Sequence, residues 1–220
     1  MTRERLLGSI RRGLDAHSSA AARRQAAEAR VTEAVPQPRP AGAAGDLVQH
    51  FKDRQRMLGV ELIEVDAADD VPAAIAAYLQ LLGLPARLRC GADPLWTAMP
   101  WERAPSLVVE RGPAEDGDTT GLSRAVAGVA ETGTLTLVSG PANPVTLGFV
   151  PDTHIVVLRT TTIVGRYEEA IPLVRAETGG AVPRTLNLVT GASRTGDIGG
   201  KIVMGAHGPR RLAIFLLGKL

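Results

Sequence analysis

Short segments at residues 107–110, 134–139, 155–158, 186–190 and 212–217 are β-rich and mostly apolar on both faces, without alternation between apolar and polar positions. A strand with apolar side chains on both sides must be covered on both sides, which is the mark of a parallel sheet held between two layers. Segments 60–65 and 86–90 read as further short strands, and apolar residues at helical spacing over 47–58, 71–82 and 166–177 alternate with them. Pro172 must kink the last of these helices or sit in its first turn. The alternation predicts an α/β fold, a three-layer α/β/α arrangement around a mostly parallel sheet. With only three Phe, two Trp and two Tyr, its core has to be built from Ala, Leu, Val and Ile.

The beginning of the chain reads differently. Leu6, Leu7, Ile10 and Leu14 line one side of a helix, and residues 16–34 are Ala, Arg, Glu and Gln, so any helix there is solvated or frayed. Pro36, Pro38 and Pro40, followed by Gly42 and Gly45, read as a linker. The expected organisation is an amphipathic helix and Ala/Arg/Pro-rich linker over 1–42 and an α/β domain over 43–220. The net charge of +2 hides an asymmetry: residues 1–40 hold eight Arg against four acids, and the remainder seventeen cations against nineteen acids. With so few rings for base stacking, no nucleic-acid role is expected. Cys90 is the single cysteine, so the chain forms no internal disulfide and cannot ligate an iron–sulfur cluster alone. A reducing, cytoplasmic setting fits, with no signal segment and no membrane span, because the longest nearly uncharged stretch is broken by Pro72, Gly83 and Pro85. No metal-ligand spacing of His and carboxylates is present, and no dedicated metal site is expected.

Candidate chemistry sits in the loops. In an open parallel sheet, ligands bind beyond the carboxyl ends of the strands. One such loop is Ser139-Gly140-Pro141-Ala142-Asn143-Pro144, and another is Thr190-Gly191-Ala192-Ser193-Arg194-Thr195-Gly196-Asp197. Small residues there let the backbone approach an anion, and hydroxyls and a guanidinium supply donors. Ser139, Gly140, Ser193, Arg194 and Thr195 are therefore candidate ligand-binding residues, though neither loop is a Walker or dinucleotide fingerprint. Glu131 precedes Thr132, Gly133 and Thr134 at the start of an apolar strand. It reads as a solvated turn residue, a buried acid bonded to backbone N–H groups, or a general base or nucleophile. Glu131, Asp197 and His207, the last in the turn Gly205-Ala206-His207-Gly208-Pro209, are the candidate catalytic residues. Thr132, Gly133 and Thr134 join the ligand-binding set. A single His at a turn is more often structural, and His154, which opens the 155–158 strand, shares that reading.

Taken in order, Val129-Ala130-Glu131-Thr132-Gly133-Thr134, Ser139-Gly140-Pro141, Pro151-Asp152-Thr153-His154-Ile155, Gly191-Ala192-Ser193-Arg194-Thr195-Gly196-Asp197-Ile198 and Gly205-Ala206-His207-Gly208-Pro209-Arg210 resemble the LUD-domain family in its lactate utilization protein C branch. The resemblance covers roughly residues 107–217, with a weaker match over 3–14. It implies a fold similar to the NagB/RpiA/CoA-transferase group. It also implies work beside iron–sulfur oxidoreductase subunits that oxidise L-lactate to pyruvate, with the clusters in those partners, no cofactor in this chain, and a small-molecule anion as ligand. The alternatives are a stand-alone CoA-transferase-like enzyme acylated at Glu131, a formyltetrahydrofolate cyclo-ligase-like enzyme, or a non-catalytic scaffold or regulator. Where the family pattern continues with Glu after Thr-x-Asp-Ile, this sequence has Gly199, which leaves Glu131 and Asp197 as the carboxylates of the motif loops.

Overall fold

The structure is a computed structural model that describes residues 2–16, 18–32, 41–198 and 201–218. His17, the proline-rich stretch 36–40 and Gly199 fall outside the described residues. The chain divides into two compact units, Met1–Ala41 and Gly42–Leu220.

The first unit holds α1 (Arg3–Asp15) and α2 (Ala20–Thr32). Leu6, Ile10 and Leu14 recur every four residues on α1 and are 45–51% exposed. The stretch in which any helix was expected to be solvated or frayed forms α2, largely exposed, because Ala and Arg favour helix and the Ser19 hydroxyl caps it by accepting the Ala22 N–H at 3.2 Å. Arg23 ties this helix to the end of α1 through the Leu14 carbonyl and Asp15.

The second unit runs α3 (Leu47–Leu58), β1 (Glu61–Val65), α4 (Val71–Leu81), β2 (Arg87–Cys90), α5 (Pro94–Ala98), β3 (Val108–Arg111), β4 (Thr120–Arg124), β5 (Ala127–Val129), β6 (Thr134–Val138), β7 (Thr153–Arg159), β8 (Ile163–Val164), α6 (Tyr167–Glu177), β9 (Leu186–Val189), β10 (Arg194–Ile198), β11 (Lys201–Met204) and β12 (Arg211–Leu217). Local signals place the helix ends. Asp46 caps α3 by accepting the Gln49 N–H, Gly59 ends it in a left-handed conformation, and Pro72 stands in the first turn of α4. Pro172 lies inside α6, not in its first turn.

A parallel sheet in the order β1-β12-β7-β4-β2-β3 forms the centre. Alternate residues of its central strands enter different cores. Ile155, Val157, Ala213, Phe215 and Leu217 pack with Val71, Ile75, Leu79 and Trp96 of α4 and α5, and Val156, Leu158, Leu212, Ile214 and Leu216 pack with Phe51 of α3. The mostly parallel α/β sheet read from the apolar segments is thus present.

Not every apolar segment belongs to it. Thr134–Val138 and Leu186–Val189 sit in a second sheet, β8-β5-β6-β9, in which β6 pairs antiparallel with both β5 and β9. This sheet shares one covering layer with α3, and Leu135 and Leu137 point into the same core as Phe51. The stretch after Ser193, read as loop, forms the antiparallel hairpin β10–β11. The central strand β4, not expected from its Thr-Gly-Leu-Ser-Arg sequence, is buried between β7 and β2. Gly121 lets it in: a Cβ there would stand 2.2 Å from the Leu147 carbonyl oxygen. Gly121→Ala therefore should destabilise the domain by about 1–3 kcal/mol, the range for an overpacked core, read as a lower urea midpoint.

Candidate functional site

Two motif loops meet beside the amino ends of β7 and β12. Ser193 N–H donates to the Pro209 carbonyl at 2.9 Å, and Gly205 N–H donates to the Ser193 carbonyl at 3.0 Å, so residues 190–195 and 205–209 are clasped together. Gly191 and Gly205 take positive φ, +81° and +75°, which a side chain would resist. The clasp forms one wall of a groove of about 460 Å³. Asn187, Leu188 and Val189 of β9 line it together with Gly148 and Phe149, and Ser193, Arg194, Thr195 and His207 supply polar groups. Because β9 belongs to the second sheet, its carboxyl end is not the carboxyl edge of the central sheet, and the groove lies away from where the parallel-sheet rule puts it.

Arg194 is partly committed. One of its nitrogens donates to the carbonyl of Leu58 at 2.8 Å, so the cation sits on the C-terminal end of α3, where the helix dipole favours it. A guanidinium carries five N–H donors, so others are free to meet an anion. His207 is exposed on the groove. Asp197 lies in β10.

Below the groove, Gly148, Phe149, Asn187 and Val189 also border a small cavity of about 10 Å³, space for a single water. Ser123, Asn143 and His154 line it as well. His154 is 1% exposed, its Nε2 is 2.9 Å from the Ser123 hydroxyl, and burial lowers its pKa to about 4, which leaves it neutral at pH 7.

The Glu131 turn forms a neighbouring cluster. Gly133 takes φ +73°, its N–H returns to the Val129 carbonyl, and its own carbonyl accepts from buried Gln55 Nε2 at 2.6 Å. Thr132 and Thr134 lie 2.7 Å apart, both reach the Tyr167 hydroxyl, and Thr134 meets Thr190 at 2.7 Å. Thr190 lines the groove, so this hydroxyl network joins the turn to it. Glu131 is half-buried, with its N–H on the Gly165 carbonyl, and does not line the groove.

Ser139 and Gly140 stand elsewhere. Ser139 accepts the Thr185 N–H at 2.9 Å, and both residues border a cavity of about 230 Å³ at the carboxyl ends of β2 and β4. Arg124 is held there by Asp93 at 2.7 Å and by Glu177, two acids that raise its pKa against the opposing effect of burial. Ser193, Arg194, Thr195 and His207 are therefore together, Thr132, Gly133 and Thr134 are connected to them, and Ser139 and Gly140 are apart. Sequence reasoning passed over Ser123, Tyr167 and Thr190, and took His154 as structural. The one signal for His154 was its place in the Pro151-Asp152-Thr153-His154 motif.

The chain is a mixed α/β domain with a mostly parallel central sheet, and comparison with known proteins gives its family. The LUD domain matches residues 118–217. Lactate utilization protein C of Deinococcus radiodurans is 33% identical over 192 residues, covering 83% of this chain and 84% of that protein. The chain belongs to the LUD-domain family, in its lactate utilization protein C branch. The crystal structure of a DUF162 family protein from Deinococcus radiodurans superimposes with a TM-score of 0.59 and 27% identity, over 78% of this chain and 96% of the other. Lactate utilization protein C of a Geobacillus species is 36% identical over 85 residues, but that match spans only 38% of this chain and 35% of its relative. No helix among the described residues is long and apolar enough to cross a membrane.

Proposed function

We propose that this chain serves L-lactate utilisation by binding a small anionic ligand in the groove between residues 190–195 and 205–209, alongside iron–sulfur oxidoreductase subunits that carry the redox centres. The observation that supports it most is the convergence of two separate family motifs on one groove, where Arg194, Ser193, Thr195 and His207 supply donors. In this reading Arg194 and His207 hold the anion. Glu131 is the acid of the adjoining turn, and Asp197 lies on β10, the strand that begins at Arg194.

The test is growth. In a host deleted for this chain, the Arg194→Ala/His207→Ala variant should fail to restore growth on L-lactate while it accumulates as a folded protein. Loss of the Leu58 contact should lower its melting temperature by only a few degrees, since a cation at a helix end contributes about 0.3–1 kcal/mol. Full growth with this variant would remove the groove from the function. Capture of the wild-type chain from lactate-grown cells should bring down cysteine-rich iron–sulfur proteins.

A further inference from the structure

The central-sheet strands β3, β4 and β7 close on Arg111, Arg124 and Arg159, and of these arginines one has no partner. Arg111 donates to the carbonyls of Gly91 and Trp96. Arg124 donates from Nε to buried Asp93 at 2.7 Å, and its two terminal nitrogens meet the two carboxylate oxygens of Glu177. Arg159 is partly buried, yet among the described residues its side chain makes no hydrogen bond and no ion pair, and its Nε is closed off from solvent without an acceptor. A guanidinium in that position has given up hydration that nothing in the chain replaces. An anion at its remaining nitrogens would replace it.

The space for one is present. Arg159 and Thr162 line a pocket of about 340 Å³ together with Arg124 and Glu177. The pocket lies at the carboxyl ends of the adjacent parallel strands β4 and β7, where an open sheet receives ligands. The Thr162 hydroxyl donates to the Arg159 carbonyl at 3.0 Å and fixes the turn that carries both residues. Val126 and Leu173 add an apolar wall. No lining residue is shared with the groove.

Charge selects among anions here. Arg124 already faces two acids, so Arg159 carries the unmatched positive charge of the lining, and the Glu177 carboxylate opposes a second negative charge on a ligand. A carboxylate, with one charge, satisfies both conditions, and a phosphate dianion does not. The apolar wall calls for a short hydrocarbon part beside that carboxylate.

We infer that Arg159 anchors a ligand site at the carboxyl edge of the central sheet, and that the site takes a small organic monocarboxylate: the guanidinium holds the carboxylate, and Val126 and Leu173 cover the hydrocarbon part. The site stands apart from the groove and goes beyond the function proposed for it.

The test titrates the full ¹⁵N-labelled chain with butyrate and with inorganic phosphate. Butyrate should bind saturably and shift the amides of Thr162 and Glu177, and phosphate should bind there more weakly. Arg159→Gln removes a cation that has no partner in the chain, so its melting temperature should be unchanged or higher, while butyrate affinity read at these amides falls about tenfold or more, as expected for a lost hydrogen bond to a charged group. Ala176→Trp, at an exposed position of α6 that borders the pocket, should fill it and block butyrate with Arg159 intact. Unchanged butyrate affinity in either variant would overturn the inference, as would tighter binding of phosphate than of butyrate. An Arg159→Gln variant that fails to fold would make Arg159 a structural cation and overturn it equally. Shifts at Ser193 and Thr195 with none at Thr162 and Glu177 would overturn it while the groove reading stands.

Discussion

Phe215→Ala should lose about 3–5 kcal/mol of stability, the cost of emptying a fully buried aromatic site, and the variant should unfold at a much lower urea concentration with an unchanged slope. Phe215 is 0% exposed on β12, which lies between β1 and β7 in the central sheet. Its ring meets Tyr78 of α4 edge-on at 5.8 Å, and the Tyr78 hydroxyl reaches Glu61 at the start of β1. The substitution thus removes volume where helix and sheet meet, and the chain has few other rings to fill it. Because domains of this size are stable by about 5–15 kcal/mol, the loss is a large share of the total. Ile214→Val, one residue away on the opposite face against the Phe51 core, should cost only about 0.5–1.5 kcal/mol. Similar losses for the two would contradict the packing of β12 between two separate cores.

The double-sided burial of β7 and β12 was legible because an apolar strand with no polar face has to be covered twice. The same pattern misplaced residues 134–138 and 186–189, whose sheet is antiparallel: Leu135 and Leu137 have the composition of central strands, yet Leu188 is 53% exposed. Composition records that a segment is apolar, not which sheet covers it. β4 was illegible for the opposite reason. Its Ser123 looks like a surface residue, and only His154, thirty-one positions later, satisfies the hydroxyl. The candidate site divides in the same way. The loops at 190–195 and 205–209 announced themselves by glycine and hydroxyl content, but their meeting depends on backbone bonds between residues 193, 205 and 209 that no local pattern encodes. The hydroxyl network of Thr132, Thr134, Tyr167 and Thr190 likewise joins four positions from three separate segments.

Stability should also fall steeply between neutral pH and pH 5, and His154 is the group responsible. Burial holds its pKa at about 4 in the folded chain, against an ordinary value of 6.5. As the pH drops below 6.5 the unfolded chain takes up a proton that the folded chain refuses, so protonation favours unfolding and stability rises with pH through this window. At pH 7 both states are largely neutral and the effect is absent. By pH 5 it amounts to about 2 kcal/mol, and below pH 4 it levels off near about 3 kcal/mol, once both states are charged. Urea unfolding at pH 7 and pH 5 measures the difference directly. In His154→Gln, which keeps a polar side chain beside Ser123 but carries no titrating proton, the fall between these two pH values should shrink by about 2 kcal/mol, even where the variant starts from a lower stability. An unchanged fall would mean that His154 already reaches solvent in the folded chain.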